Sequence, residues 1–88
     1  MALTKKTITD KIETVAIRGG LHYVIQVRER NLIIEDGKEI SSSFHRYILN
    51  PDADTSTITD PVVLTQFNAV MNDQVKENYQ AFLEAQNP

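Results

Sequence analysis

The 88-residue sequence contains no cysteine and no tryptophan. Without cysteine it has no disulfide scaffold, no thiolate nucleophile, no iron–sulfur cluster and no zinc site of the usual sulfur-rich kind. Apolar runs of about 18 residues, which a membrane-spanning helix needs, are also missing. The first residues lack the apolar stretch and cleavage site of a secretory signal. We therefore expect a protein that works where it is made, neither secreted through a signal peptide nor held in a membrane.

The length predicts one domain, over residues 1–88. With 41% hydrophobic and 24% charged residues, the chain falls well below the usual span of two domains. A domain of this size buries only about 60 to 65% of the surface that its unfolded chain exposes. Apolar side chains left on the surface should therefore be conspicuous.

Charge is unevenly distributed along the chain. Residues 1–50 carry eight Lys/Arg and six Asp/Glu, and residues 51–88 carry one Lys and six Asp/Glu. The first part therefore has a net charge of +2 and the second a net charge of −5. A protein that binds the nucleic-acid backbone is expected to carry a strong basic excess. The weak excess in the first part disfavours nucleic acid as a partner.

The first fifty residues have the pattern of antiparallel strands. Segment 6–18 is rich in Thr, Ile and Val and ends at Gly19-Gly20, a pair that favours a tight reversal. The start of segment 21–35 alternates apolar and polar residues with the period of two of a half-buried strand. We expect a three-stranded antiparallel β-meander over residues 5–50, the N-terminal part of an α+β fold.

The dipeptide Asp36-Gly37 is the clearest local signal for a hairpin. If these two residues form the loop, Ile33 lies opposite Ile40, and Ile25 lies opposite Ile48. Both isoleucine pairs then share one face of the sheet, and a slip of one residue would separate them. We therefore expect this register.

Residues 60–86 have the spacing of helices. Thr59-Asp60-Pro61 starts the first helix, with Thr59 or Asp60 as the cap and Pro61 in the first turn. Asn72-Asp73 offers a second cap, because one continuous helix would let the apolar stripe drift around its axis. We expect two short helices packed on one face of the sheet and joined to it by a crossover loop over 50–59.

Patterns for catalysis or metal binding fail on their spacing. Asp52-Ala53-Asp54 has the paired carboxylates of a phosphoryl-transfer or calcium site, but Ser56 occupies a position that the aspartate-phosphatase pattern gives to Thr or Val. Turns in which these side chains bond their own backbone are the simpler interpretation. Ser41, Ser42 and Ser43 lack the Gly-x-Ser-x-Gly elbow of a serine nucleophile. We expect a non-enzymatic protein with no catalytic residue, no metal site and no cofactor.

Two sets of residues are candidate interaction sites. The first is a cationic strip for an anion or a carboxylate-bearing partner, namely Arg28, Arg30, His45 and Arg46. The second is an apolar set expected to point away from the helices, namely Val15, Ile17, Val24, Leu32, Ile34, Tyr47 and Leu49. Even half of this second set would form a larger exposed patch than monomers tolerate. We expect a second copy of the chain, as a homodimer, or another protein to cover it.

Local stretches of strand, turn and helix sequence carry a resemblance to other proteins. They are Asp10-Lys11-Ile12-Glu13, Ile25-Gln26-Val27-Arg28, Glu35-Asp36-Gly37-Lys38-Glu39-Ile40-Ser41, Phe44-His45-Arg46, Asn50-Pro51-Asp52-Ala53-Asp54 and Asp73-Gln74-Val75-Lys76-Glu77-Asn78-Tyr79. Together they cover most of the chain, which resembles small uncharacterised proteins encoded by tailed bacteriophages, particularly marine ones. The resemblance implies a phage origin, a location in the host cytoplasm or the virion, and other phage structural proteins as partners. It implies no activity and no site residue.

The leading hypothesis is a self-associating phage protein with a virion- or tail-associated accessory or structural role. The alternative is a host-directed or regulatory protein-binding module, which would use its acidic helices to mimic nucleic-acid charge or its arginine strip to bind an acidic partner. Nucleic-acid binding ranks third, and catalysis ranks last.

Overall fold

The computed structural model describes residues 2–86, apart from the side chain of Arg18. Its elements are β1 (Leu3–Ile17), β2 (His22–Glu35), β3 (Lys38–Leu49), α1 (Pro61–Val70) and α2 (Asp73–Gln86). The strands form one antiparallel sheet in the order β1-β2-β3, and both helices pack against it. The predicted α+β fold is confirmed: a three-stranded meander is followed by two short helices.

Both predicted reversals are present, and both use the left-handed region of backbone space. Gly19 and Gly20 have φ values of 70° and 93°, and Asp36 and Gly37 have φ values of 51° and 82°. In the two-residue loop Asp36-Gly37, two successive positive φ angles match the right-handed twist of the hairpin strands, whereas the first reversal is a four-residue loop over 18–21. These two turns place β2 in the centre of the sheet.

A β-bulge at Ile40 shifts the pairing of β2 with β3. Ile33 pairs with Ser41 and Ile34 pairs with Glu39, so Ile40 is an extra residue in β3. The two-residue loop predicts that Ile33 lies opposite Ile40 and Ile25 opposite Ile48. This predicted register is wrong by one residue from the bulge to the end of β3, where Ile25 pairs with Leu49. A second bulge lies in β1, where Asp10 is the extra residue.

The helices pack on one face of the sheet, which we call the helix face. In β2 this face contains Tyr23, Ile25 and Val27. We call the opposite side the open face; in β2 it carries His22, Val24, Gln26, Arg28, Arg30, Leu32 and Ile34. Paired residues of neighbouring strands share a face, so the pairings assign every residue of β1 and β3 to one of the two, apart from the bulge residues.

The hydrophobic core lies between the helix face and the two helices. Its buried side chains are Ile25, Val27, Leu49, Val63, Phe67, Met71 and Val75. Val63 and Phe67 of α1, Met71 in the break and Val75 of α2 follow one another at intervals of four residues and share one side. Full burial of such a side chain stabilises the fold by about 1.5 to 3 kcal/mol.

Side chains at the start of each helix explain the break between them. The Asp60 carboxylate accepts hydrogen bonds from the backbone N–H of Val62 at 2.8 Å and of Val63 at 3.4 Å, which confirms Asp60 as the cap of α1. Its other oxygen accepts from the hydroxyl of Thr9, which ties α1 to the middle of β1. Asn72 Oδ1 accepts from the N–H of Val75 at 2.9 Å and starts α2.

The helices cover only part of a long sheet, since the molecule measures 57 × 23 × 20 Å. We call strand residues 9–17, 22–29 and 45–49 the inner half, and strand residues 3–8, 30–35 and 38–44 the outer half. Every buried strand residue of the described chain lies in the inner half. The outer half therefore has no covering layer on either face.

At the inner end of the sheet, α2 packs where β3 has already ended. Leu49 closes β3 opposite Ile25, so the first residues of β2 have no neighbour on that side. The His22 ring lies there, 2% exposed, with its centroid 5.2 Å from that of Tyr79 and 5.0 Å from that of Phe82. The helix thereby buries a residue of the open face as well.

Candidate functional site

A trough of about 250 Å³ lies on the open face of the inner half. The open-face residues that line it are Lys11, Glu13, Gln26, Arg28, Arg46 and Ile48. Each strand contributes two of them, because the pairings align 13 with 26 and 48, and 11 with 28 and 46. The trough therefore depends on the register of all three strands.

Three cations form a row across this trough. Lys11, Arg28 and Arg46 are cross-strand neighbours, one from each strand, and like charges in this arrangement repel. Two carboxylates offset the repulsion: Arg28 Nε donates to Asp10 Oδ2 at 2.6 Å, and Lys11 forms an ion pair with Glu13. The bulge in β1 is what places Asp10 beside Arg28. We call the three cations the basic row.

The carboxyl group of Glu13 responds to this environment. The hydrogen bond from the Lys11 ammonium, and then its charge, hold the pKa of Glu13 below its usual value. Glu13 is therefore ionised at neutral pH and neutralises Lys11, as Asp10 neutralises Arg28. One positive charge of the basic row is left over.

That charge belongs to Arg46, which is exposed and forms no ion pair within residues 2–86. Its guanidinium carbon lies 5.9 Å from the ring centroid of Phe44, and that of Arg28 lies 4.7 Å from the same centroid. Such contacts contribute about 0.5 to 1 kcal/mol at exposed sites. A guanidinium held near a ring keeps N–H donors that can bind a carboxylate or phosphate in pairs.

The structure brings together three of the four predicted cationic residues. Arg28, Arg30 and Arg46 share the open face, whereas His45 pairs with Glu29 and lies on the helix face. Arg30 forms an ion pair with Glu39 at 2.6 Å, so its charge is already neutralised.

Two residues of this surface, Lys11 and Phe44, are absent from the cationic strip that the sequence predicts. Lys11 lies opposite Arg28 in the register that continues unbroken from the Gly19-Gly20 turn, so counting from this turn could have placed it in the basic row. Phe44 precedes Arg46 by two residues in one strand, and the period of two alone could have placed their side chains together.

The predicted apolar set is divided between the two faces. Val15, Ile17, Val24, Leu32 and Ile34 lie on the open face by their pairings. Tyr47 and Leu49 lie on the helix face opposite Val27 and Ile25, because of the bulge in β3, and Leu49 is part of the core. The expectation that these two point away from the helices is therefore corrected.

Apolar side chains are concentrated on the open face of the outer half. Ile8, Leu32 and Ile34 are half-buried, and Phe44 is 52% exposed. The helix face of the outer half is more polar, and Thr7 there donates a hydrogen bond to Asn31 at 2.8 Å. Both β1 and β3 are also edge strands with unpaired backbone groups. The open face thus combines an apolar outer half with a basic trough in its inner half.

No geometry for catalysis emerges from the crossover loop. Asp54 accepts hydrogen bonds from the backbone N–H of Ser56 at 2.9 Å and from its hydroxyl at 2.7 Å, and these bonds lower the pKa of Asp54. This is the turn that the sequence indicated. Among residues 2–86, no three His, Asp or Glu side chains are grouped so that they could hold a metal ion. None of the described helices has the length and hydropathy to cross a membrane.

Comparison with known proteins adds no relative: no family model, no curated protein and no solved structure matches this chain. The resemblance to phage proteins therefore stays a prediction.

Proposed function

We propose that the protein is a non-enzymatic assembly protein that self-associates through the open face of the outer half of its sheet. The observation that carries the proposal is the lack of a covering layer there, over a surface that includes Leu32, Ile34 and Phe44. Sheets of soluble domains bury their apolar face against another layer. In the single chain this layer exists only over the inner half.

A second copy supplies a fitting layer. Two sheets pack face to face about 10 Å apart, and the same patch on both copies forms a closed two-fold dimer. Burial of apolar surface stabilises such a contact by about 25 cal/mol per Å² before the cost of association. The open face of the outer half offers four apolar side chains to this contact: Ile8, Leu32, Ile34 and Phe44.

Light scattering coupled to gel filtration tests the proposal. We expect the wild-type chain to elute as a dimer or larger assembly at about 100 μM, and Ile34→Lys to shift it to the mass of a monomer with an unchanged circular dichroism spectrum. Ile33→Lys is the matched control, because this neighbour lies on the other face, and it should leave the mass unchanged. A wild-type monomer at this concentration would refute the proposal.

The place of this assembly is proposed from the sequence resemblance alone. It is an accessory component of a phage virion or tail. Mass spectrometry of purified particles should then detect the protein in a fixed ratio to the structural proteins. If it is present in infected cells and missing from particles, a role outside the virion replaces this one.

A second candidate function is a host-directed or regulatory module that binds an acidic protein through the trough. The single favouring observation is the exposed Arg46, whose charge no described residue pairs. A host protein captured by the wild-type chain and lost with Arg46→Glu would support it. Arg30→Glu is a weaker test, because Arg30 is already bound to Glu39.

A further inference from the structure

Helix α2 carries a line of unpaired acidic side chains on its exposed side. Asp73, Glu77 and Glu84 are separated by four and seven residues, a spacing that aligns them along one side of a helix. That side is opposite the one that buries Val75 and Tyr79. All three are exposed, and none forms an ion pair within residues 2–86. We call these three residues the acidic stripe.

The acidic stripe and the basic row cannot neutralise each other within one chain. The helix packs against β2 with its apolar side, so its acidic stripe faces away from the sheet. The basic row lies on the open face of the sheet, and Arg46 is its unneutralised member. Two complementary charged surfaces on one molecule, each turned outward, are suited to contact between copies.

We propose that the acidic stripe of one copy docks in the trough of the next copy, with Arg46 as its main partner. The inference rests on the proposed self-association and names a second contact in the same assembly. Arg46 offers paired N–H donors to a carboxylate of the stripe, and Ile48, 57% exposed, lies in the trough that the helix would cover.

The two contacts differ in symmetry and therefore in their products. The outer-half contact joins a patch to the same patch and closes at a dimer. The stripe-to-trough contact joins two different surfaces, so it continues from copy to copy into a ring or an open chain. Together they would link dimers into larger assemblies. The second contact is ionic and screened by salt, since the Debye length falls from about 10 Å at 0.1 M to about 3 Å at 1 M, whereas the first is apolar.

A charge exchange measured by sedimentation velocity tests the inference. In low salt, at about 0.05 M, we expect the wild-type chain to exceed the mass of a dimer, and Arg46→Glu or Glu77→Arg alone to reduce it to a dimer. An equimolar mixture of the two variants should regain the wild-type mass, because each offers the surface that the other lacks. Raising the salt to about 0.5 M should reduce the wild-type assembly to a dimer.

Two controls separate the outcomes. Lys5→Glu changes the net charge as much as Arg46→Glu but lies opposite Ile33 on the helix face, away from the trough and the acidic stripe, and it should keep the wild-type mass. If Arg46→Glu keeps the wild-type mass while Ile34→Lys lowers it, the stripe-to-trough contact is refuted and the proposed function stands. If Ile34→Lys keeps the mass while the charge exchange works, the outer-half contact is refuted instead. A wild-type monomer in both salts refutes both.

Discussion

The inner and outer halves of the sheet are built from the same three strands, yet only one of them has a core. In the inner half, Ile25 and Val27 are at most 1% exposed beneath the helices. In the outer half no described side chain is buried. Turns and backbone pairing are sufficient to extend the sheet, whereas burial depends on a second layer. The difference shows that strand formation and core formation are separable here.

The apolar pattern of β2 follows the difference in burial between the inner and outer halves. From Ile25 to Arg28 its inner half alternates between the core and the open face, whereas the apolar run Tyr23-Val24-Ile25 lies where both faces are covered, since Val24 is 7% exposed and Ile25 is buried. Its outer half contains Leu32-Ile33-Ile34, a continuous apolar run that is typical of strands covered on both sides. The outer half thus has a sequence suited to more burial than one chain provides, which agrees with the proposed self-association.

The largest expected loss of stability comes from a substitution in the core of the inner half. Phe67→Ala removes a side chain that is 2% exposed, and the transfer and cavity terms together should lower the free energy of unfolding by about 3 to 5 kcal/mol. Phe44→Ala, in the outer half, should cost less than about 1 kcal/mol in dilute protein. Urea denaturation measures both. Equal losses would contradict the separation of the two halves.

A pair of glycine substitutions compares the two hairpins at equal local strain. Gly19 and Gly37 both have positive φ, and a Cβ added at either would meet no atom within 4 Å. Alanine at such an angle costs about 1 to 2 kcal/mol. We expect Gly19→Ala to show this cost in urea denaturation, and Gly37→Ala to show less of it, because the uncovered tip can open locally without unfolding the core. A larger cost at Gly37 would overturn this view of the outer half.

A smaller gain of stability is expected where α2 covers the end of β2. His22 is buried between aromatic rings, and its Nδ1 has no hydrogen-bond partner in the described chain. His22→Phe removes this unsatisfied atom and should raise the free energy of unfolding by about 1 kcal/mol. His45→Phe, exposed on β3, should change it by less than about 0.5 kcal/mol. If His22→Phe instead lowers the free energy of unfolding, the His22 ring must make a stabilising polar contact besides the aromatic contacts described here.

The smallest effect depends on pH and concerns the junction between the two halves. The hydroxyl of Thr9, followed by the backbone N–H of Val62 and Val63, lowers the pKa of Asp60 in the folded protein. The stability this contributes is complete above the unfolded pKa of about 3.9 and is lost as the pH falls through the lower, folded pKa. Asp60→Asn should therefore melt below the wild type near about pH 6 and approach it below about pH 4.

Thermal melts across this range measure the difference, with Asp52→Asn in the exposed loop as the control for lost charge. If the difference in melting temperature between Asp60→Asn and the wild type stays constant with pH, the ionised form of the Asp60 carboxylate is not the source of the stabilisation.

The parts of the fold that follow from local chemistry could be predicted from the sequence. The Asp36-Gly37 turn, the Asp60 cap and the break near Asn72 each depend on a few neighbouring residues. The register of β3 could not, because the bulge at Ile40 is followed by Ser41–Ser43, where no apolar alternation marks the faces. One extra residue there was enough to assign Tyr47 and Leu49 to the wrong face.

The candidate site is harder to predict because it is assembled across strands. The sequence predicts that Arg28 and Arg46 lie in one cationic strip, and in the structure Lys11 from β1 completes their row. The Gly19-Gly20 turn sets the alignment of Lys11, whereas the alignment of Arg46 depends on the bulge at Ile40, which no residue type marks. The sequence also does not indicate that Arg46 is the cation without an ion pair, because this depends on which acidic residues reach Lys11 and Arg28. Pairing and neutralisation are properties of the folded sheet.

The bulge at Asp10 also sets which residues of β1 belong to which face. Each strand residue is assigned to a face by counting in twos, and the extra residue advances that count by one for the whole segment 3–9. Deleting Asp10 alone would therefore close the bulge and leave Thr9 opposite Glu29 and Ile8 opposite Arg30, so the faces of this segment would stay as they are. Loss of this residue is thus compatible with the register of β1, and its cost is the carboxylate that pairs with Arg28 in the trough.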